Sequence, residues 1–161
     1  MSRKRLLALV MALAAAVLVS AVPSFAHDEP LPIAPSVLTP RSVFPDDVRL
    51  TVRVGDDRVR VEPSRTVVVK YVVQPGAVFP WHTHAGPVIV NVKRGTFTYV
   101  SDTCVKTAYD AGEAFVDLGT DIHSAFAGPK ETVVVATFFN APPEPDPLLI
   151  PATAPAGCTL P

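Results

Sequence analysis

Apolar and polar residues alternate along the middle of the chain. "VRLTVRV" (Val48–Val54) and "RVRVE" (Arg58–Glu62) alternate cleanly across the turn-like "GDD". "TVVVKYVV" (Thr66–Val73) is more continuous and reads as a more buried strand. Further strand-like runs are "PVIVNVK" (Pro87–Lys93), "TFTYV" (Thr96–Val100), "CVKTAY" (Cys104–Tyr109), "EAFVDL" (Glu113–Leu118), "SAFA" (Ser124–Ala127) and "TVVVATFF" (Thr132–Phe139). Nine short strands separated by Gly, Pro, Asp and Asn turns predict a sandwich or barrel. No helical period and no internal repeat is visible. A closed jelly roll is the economical arrangement, because closure limits exposed strand edges.

The ends read differently. "SRKR" followed by the fourteen apolar residues Leu6 to Val19 and by "SFA" has the form of a secretory signal peptide, cut after Ala26. The apolar run is short for a membrane span, and no cysteine follows it to carry a lipid. The expected product is exported through the general secretory route, with no membrane anchor after cleavage. Five prolines fall between Pro30 and Pro45, and seven between Pro142 and Pro161. Such segments form neither helices nor central strands. The expected layout is a signal peptide at 1–26, a proline-rich arm at 27–45, a β-barrel at 46–140 and a proline-rich tail at 141–161. The arms either lie on the barrel or dangle from it.

Charge narrows the partners. Cleavage removes three of the 14 basic residues and none of the 15 acidic ones, so the net charge moves from −1 to about −4. No basic cluster remains for phosphate neutralisation, so nucleic acid is not expected as a partner. Cys104 and Cys158 are the only cysteines. An even pair in an exported chain reads as a disulfide, with two unpaired thiols as the alternative. Their wide spacing does not resemble a thiolate metal cluster.

The candidate chemistry lies in the histidines. His82 and His84 stand two apart in "PWHTHAGPVIV", and in a strand such residues share a face. Converging neutral imidazoles usually share a divalent metal. Two make half a site, and His123 in "GEAFVDLGTDIH" is the remaining strong candidate.

The stretch Gly76–Gly95, "GAVFPWHTHAGPVIVNVKRG", resembles the first motif of the cupin superfamily: glycine, five residues, His-x-His, three or four residues, glutamate, six residues, glycine. Gly76, His82, His84 and Gly95 fall in register. Gly112–Ala127, "GEAFVDLGTDIHSAFA", is similar to the second motif through Gly112 and His123. The departures are specific. Val88, or Ile89 with the longer spacing, stands where the family has its metal-binding glutamate. Leu118, Thr120 and Ala127 replace the second motif's proline, glycine and asparagine. The resemblance implies an all-β, single-domain jelly-roll barrel. It also implies one divalent transition metal (iron, zinc, manganese, nickel or copper) on His82, His84 and His123. Some cupins, thiol dioxygenases among them, use three histidines without the glutamate. Pairing of cupins through barrel edges makes a homodimer the expected assembly.

Other residues carry weaker expectations. His27 would become the N-terminus on cleavage, where amine and imidazole together chelate copper in some oxygenases, but nothing else here resembles those enzymes. Phe79, Trp81, Phe97, Tyr99, Phe115 and Phe126 flank the motif strands, as pocket lining or ordinary core. Asp117 and Asp121 lie near His123. Either can orient an imidazole, and Asp121 in "GTD" reads as a turn residue. Asn91 and Lys93 share a face with Ile89, opposite Val88, Val90 and Val92; the pattern does not say which face is inside. No nucleotide-binding loop or nucleophile elbow is present. The expected function is that of a secreted mononuclear metal-binding protein with a three-histidine site; if it is an enzyme, a dioxygenase or another metal-dependent small-molecule enzyme fits, and whether it is one stays open. The alternatives are a non-catalytic barrel binding a sugar or organic acid, with or without metal, and a structural envelope protein.

Overall fold

The computed structural model describes residues 32–161. The expected signal peptide, its cleavage point and His27 lie outside that range. Among the described residues there are strands and no helix. One sheet runs in the order β1 (Ile33–Val37), β5 (Arg65–Val73), β12 (Thr132–Phe139), β7 (Val88–Arg94), β10 (Ala114–Asp117), with β2 (Ser42–Val43) also paired to β5. The facing sheet runs β13 (Ile150–Pro151), β6 (Val78–Thr83), β11 (His123–Ala127), β8 (Thr96–Val100), β9 (Lys106–Asp110). Every pairing is antiparallel. The two sheets enclose one apolar core, as a jelly roll does.

The first sheet follows simple alternation. Val67, Val69, Tyr71 and Val73 of β5 point inward, as do Val134, Ala136 and Phe138 of β12. Val88, Val90 and Val92 of β7 are buried, while Ile89, Asn91 and Lys93 face outward. Each fully buried valine contributes roughly 1.5–3 kcal/mol relative to exposure.

Two strand expectations need correction. "VRLTVRV" and "RVRVE" do form β3 (Leu50–Val54) and β4 (Asp57–Val61), but these make a separate two-stranded hairpin outside both sheets. The run from Cys104 begins its strand only at Lys106. Cys104 adopts a positive φ of 66° and its N–H donates to the Ser101 carbonyl at 3.0 Å, which makes a turn there.

Four strands lie outside the expected nine: β1, β2 and β13 in the proline-rich segments, and β6, which carries His82. Pro80 in its middle disguises it, since proline argues against a paired strand. The structure accommodates Pro80 at an irregularity. His123 of β11 pairs with His82 and Ala125 with Phe79, so β6 uses one residue more than β11 over the same interval. That extra residue is a β-bulge, which leaves a backbone position unpaired.

The proline-rich segments lie on the barrel where they are described. β1 and β2 extend one sheet and β13 the other, so the sheets draw on residues either side of 46–140. Pro35 and Pro151 sit in strands at sheet edges, where a missing N–H costs no ladder bond. Cys104 and Cys158 form a disulfide with Cα atoms 5.1 Å apart, tying the tail to the turn before β9.

Candidate metal centre

The bulge in β6 aims the histidines. Phe79 lines the cavity between the sheets. Strict alternation would then send Trp81 inward and His82 outward. One extra residue reverses the faces beyond it, so His82 and the following His84 join Phe79 in the cavity. Trp81 is buried elsewhere, and its carbonyl accepts the Ala152 N–H at 2.9 Å. His123, opening β11, lies directly opposite His82 in register. The ring centroids are 4.2 Å apart for His82 and His123, 4.8 Å for His82 and His84, and 5.0 Å for His84 and His123. One ring nitrogen from each lies within 4.8 Å of the others.

Each ring is held by its outer nitrogen. Nδ1–H donates to a backbone carbonyl in all three: Pro80 for His82 at 2.6 Å, Leu148 for His84 at 2.7 Å, Asp121 for His123 at 2.9 Å. A carbonyl can only accept, so the proton is on Nδ1, and Nε2 is the nitrogen left for a ligand role. The Leu148 contact makes the tail part of the site. β13 pairs with Thr83 and His82, and Leu149 lines the cavity. The His84 N–H also donates to the Gly119 carbonyl at 2.8 Å. Gly119 has a φ of +89°, and a Cβ there would meet the Gly86 carbonyl oxygen at 2.2 Å. This turn accepts only glycine.

Asp117 completes the cluster. It is buried, with Oδ2 2.7 Å from His123 Nε2 and 3.7 Å from His84 Nε2. Its Oδ1 accepts the Gly119 N–H at 2.6 Å. A nitrogen lone pair and a carboxylate oxygen sit at 2.7 Å only with a cation between them, either a proton or a metal ion. That donor chemistry fits a divalent metal.

Burial, then the neighbouring His123 and His84, pushes His82 down to about 3. Burial likewise lowers His84, against the raising pull of the Leu148 carbonyl and Asp117. Both imidazoles are therefore neutral at physiological pH, as a metal ligand must be. Burial alone would raise the Asp117 carboxyl. The hydrogen bonds with His123 and from the Gly119 N–H outweigh it and hold Asp117 below its ordinary value. Tyr99 stacks on His123, with centroids 5.1 Å apart and planes 19° apart. Burial first, then Asp117, raises its hydroxyl. The deeper cavity wall is Tyr71, Phe97, Phe115 and Phe138, with the Tyr71 hydroxyl pushed up to about 12 by burial. The cavity volume is about 50 Å³.

Of the aromatic candidates, Phe79, Phe97, Tyr99 and Phe115 line the cavity and Trp81 and Phe126 do not. Val88 lines it while Ile89 faces outward, so Val88 is the position corresponding to the family's glutamate. Asp121 contributes its carbonyl to His123 rather than its carboxylate. Tyr71, Phe138 and Leu149 also line the cavity and escape a reading of the sequence. Each lies outside the two histidine motifs, and no local pattern points to them.

No protein-family model and no curated protein matches the sequence. Solved structures do match. KdgF from Halomonas sp. is 20% identical over 69% of this chain and 81% of that one, with a TM-score of 0.50. A cupin-like protein from Thermotoga maritima is 28% identical over 47% of this chain, with a TM-score of 0.45, and the match spans 57% of that protein. A Cupin_2 domain of an XRE family transcriptional regulator from Enterobacter cloacae is matched over 100% of its length and 70% of this chain, at 11% identity and a TM-score of 0.49. The architecture is the jelly roll of the cupins.

Proposed function

We propose that this chain of cupin fold is an exported mononuclear metal protein. His82, His84 and His123 hold one divalent transition metal at which a small molecule is bound and transformed. The observation that carries this reading is the common orientation of the three rings. Each gives its Nδ1–H to a backbone carbonyl, so that all three Nε2 atoms face one point. Backbone-anchored imidazoles of this kind are how proteins fix the ligating nitrogen. Three imidazoles leave open coordination positions, one in a tetrahedral site and three in an octahedral one. When bound, the metal supplies Lewis acidity or an activated water there.

The chain's own residues supply the rest. Phe138 packs edge-on against His84, with centroids 5.3 Å apart, and Tyr99 stacks on His123, so two rings cannot swing away. The apolar wall excludes bulk water from the inner cavity. The Tyr99 hydroxyl stays protonated and is available to donate a hydrogen bond to an anionic ligand. The disulfide supports an extracytoplasmic location.

Cobalt substitution tests the reading. Azide should perturb the visible spectrum of the cobalt protein, because an open position exchanges ligands. A cobalt spectrum indifferent to azide would mark a closed, structural ion. The second reading, a non-catalytic binding barrel, is favoured by the largely apolar lining. It requires ligand binding to survive His82→Ala and His123→Ala.

A further inference from the structure

We infer that the carboxylate absent from the first histidine motif is supplied by the neighbouring strand, with Asp117 acting as a fourth, anionic ligand of the centre. This rests on the three-histidine metal reading above and extends it. In the antiparallel pair of β10 with β7, Asp117 lies directly opposite Val88. Directly opposed residues in such a pair carry Cβ atoms about 4.5–5.5 Å apart on one face. Both side chains line the same cavity. The carboxylate has therefore moved one strand sideways while still reaching the same space.

The competing role is that of an orienting residue, which holds a histidine by the nitrogen that does not bind metal. Geometry excludes it. The orienting position on each ring is Nδ1, and all three are occupied by the carbonyls of Pro80, Leu148 and Asp121. Asp117 instead addresses Nε2 of His123 at 2.7 Å and of His84 at 3.7 Å, on the ligand side of both rings. Its own second oxygen is what receives outside support, from the Gly119 N–H. An anchored Oδ1 and an inward Oδ2 describe a monodentate ligand held by a hydrogen bond.

The consequence is chemical. With Asp117 bound, the centre carries one positive charge less than three neutral histidines alone would leave, and one fewer open position. An oxygen donor also moves preference toward harder ions such as manganese and iron(II).

A double-mutant cycle on the full mature chain tests this, read as cobalt(II) affinity by chelator competition. The four proteins are wild type, Asp117→Asn, Val88→Glu and the double variant. Asp117→Asn should weaken cobalt binding at least about tenfold. Val88→Glu should restore about tenfold when combined with Asp117→Asn, because it returns a carboxylate to the facing position. In wild type it should gain less than about threefold, because that place in the shell is taken. Equal gains from Val88→Glu in both backgrounds would overturn the fourth-ligand assignment and leave the three histidines standing. No cobalt binding by wild type would overturn both. If Val88→Glu fails to fold, infrared difference spectra of wild type and Asp117→Asn on zinc addition decide the matter. A split carboxylate band pair confined to wild type supports ligation, and identical spectra refute it.

Discussion

The two sheets that wall the cavity are built by different rules. Around the cavity β5, β7 and β12 keep a period of two on their inward faces, with their one register shift at Val133/Val134, where β12 begins, and they contribute valines, Tyr71, Ala136 and Phe138. β6 breaks that period at Pro80, and the break delivers His82 and His84 to the interior beside Phe79. Unbroken alternation buries apolar area; a single inserted residue converts part of that interior into a ligand set. Bulges are common next to functional sites because they re-aim side chains without changing the fold.

The contrast can be broken at the tail, which buttresses the irregular wall. Replacing Cys104 and Cys158 by serine opens a loop of 54 residues and should cost up to ~4 kcal/mol by loop entropy. It should also weaken metal binding, because the Leu148 carbonyl that fixes His84 belongs to that tail. Chemical denaturation and chelator competition on the same sample check the two effects together. A loss of stability with unchanged metal affinity would detach the tail from the site.

Next come the histidines themselves. His82→Ala should lower metal affinity by more than about 100-fold, above the range seen for residues that merely support a ligand, while the strand signal in circular dichroism persists. Persistence of tight binding would show that the bulge serves packing alone. On the regular wall the reverse is expected. Val134→Ala, at a position 2% exposed, should cost about 2 kcal/mol through lost transfer energy and a cavity, with metal affinity unchanged.

A further test is in pH. The folded value of His82 lies below its ordinary 6.5, at about 3, so the unfolded chain binds the extra proton first. Metal-free protein should therefore be fully stable with respect to this group above pH 6.5. It should lose stability progressively as pH falls from 6.5 toward 3. Bound metal excludes that proton from the folded chain altogether, so it should carry the loss on below the metal-free value of about 3. Urea titrations at several pH values, with and without metal, would show a metal-independent slope if His82 is not a ligand.

Much of this was legible in the sequence because alternation is a local signal. The core-forming runs from "TVVVKYVV" to "TVVVATFF" read correctly as strands or strand-like segments, and the spacing of His82, His84 and His123 singled out the residues that converge. What failed to show was non-local or disguised. Pro80 hid β6, since proline in a run ordinarily signals a loop. The separation of the β3–β4 hairpin from the sheets depends on tertiary pairing, not on its own alternation. The Leu148 carbonyl is 64 residues from His84, and no side-chain type marks a carbonyl. Asp117 was visible beside His123 as a candidate orienting group, but the nitrogen it addresses is fixed only by the three carbonyl contacts.

The most direct test is the metal content of the protein, purified without chelators, measured by mass spectrometry beside His84→Ala. A three-histidine centre requires about one equivalent of a transition metal in wild type and its loss in the variant. Negligible metal in both, even after reconstitution with iron, zinc, manganese, nickel and copper, would contradict it.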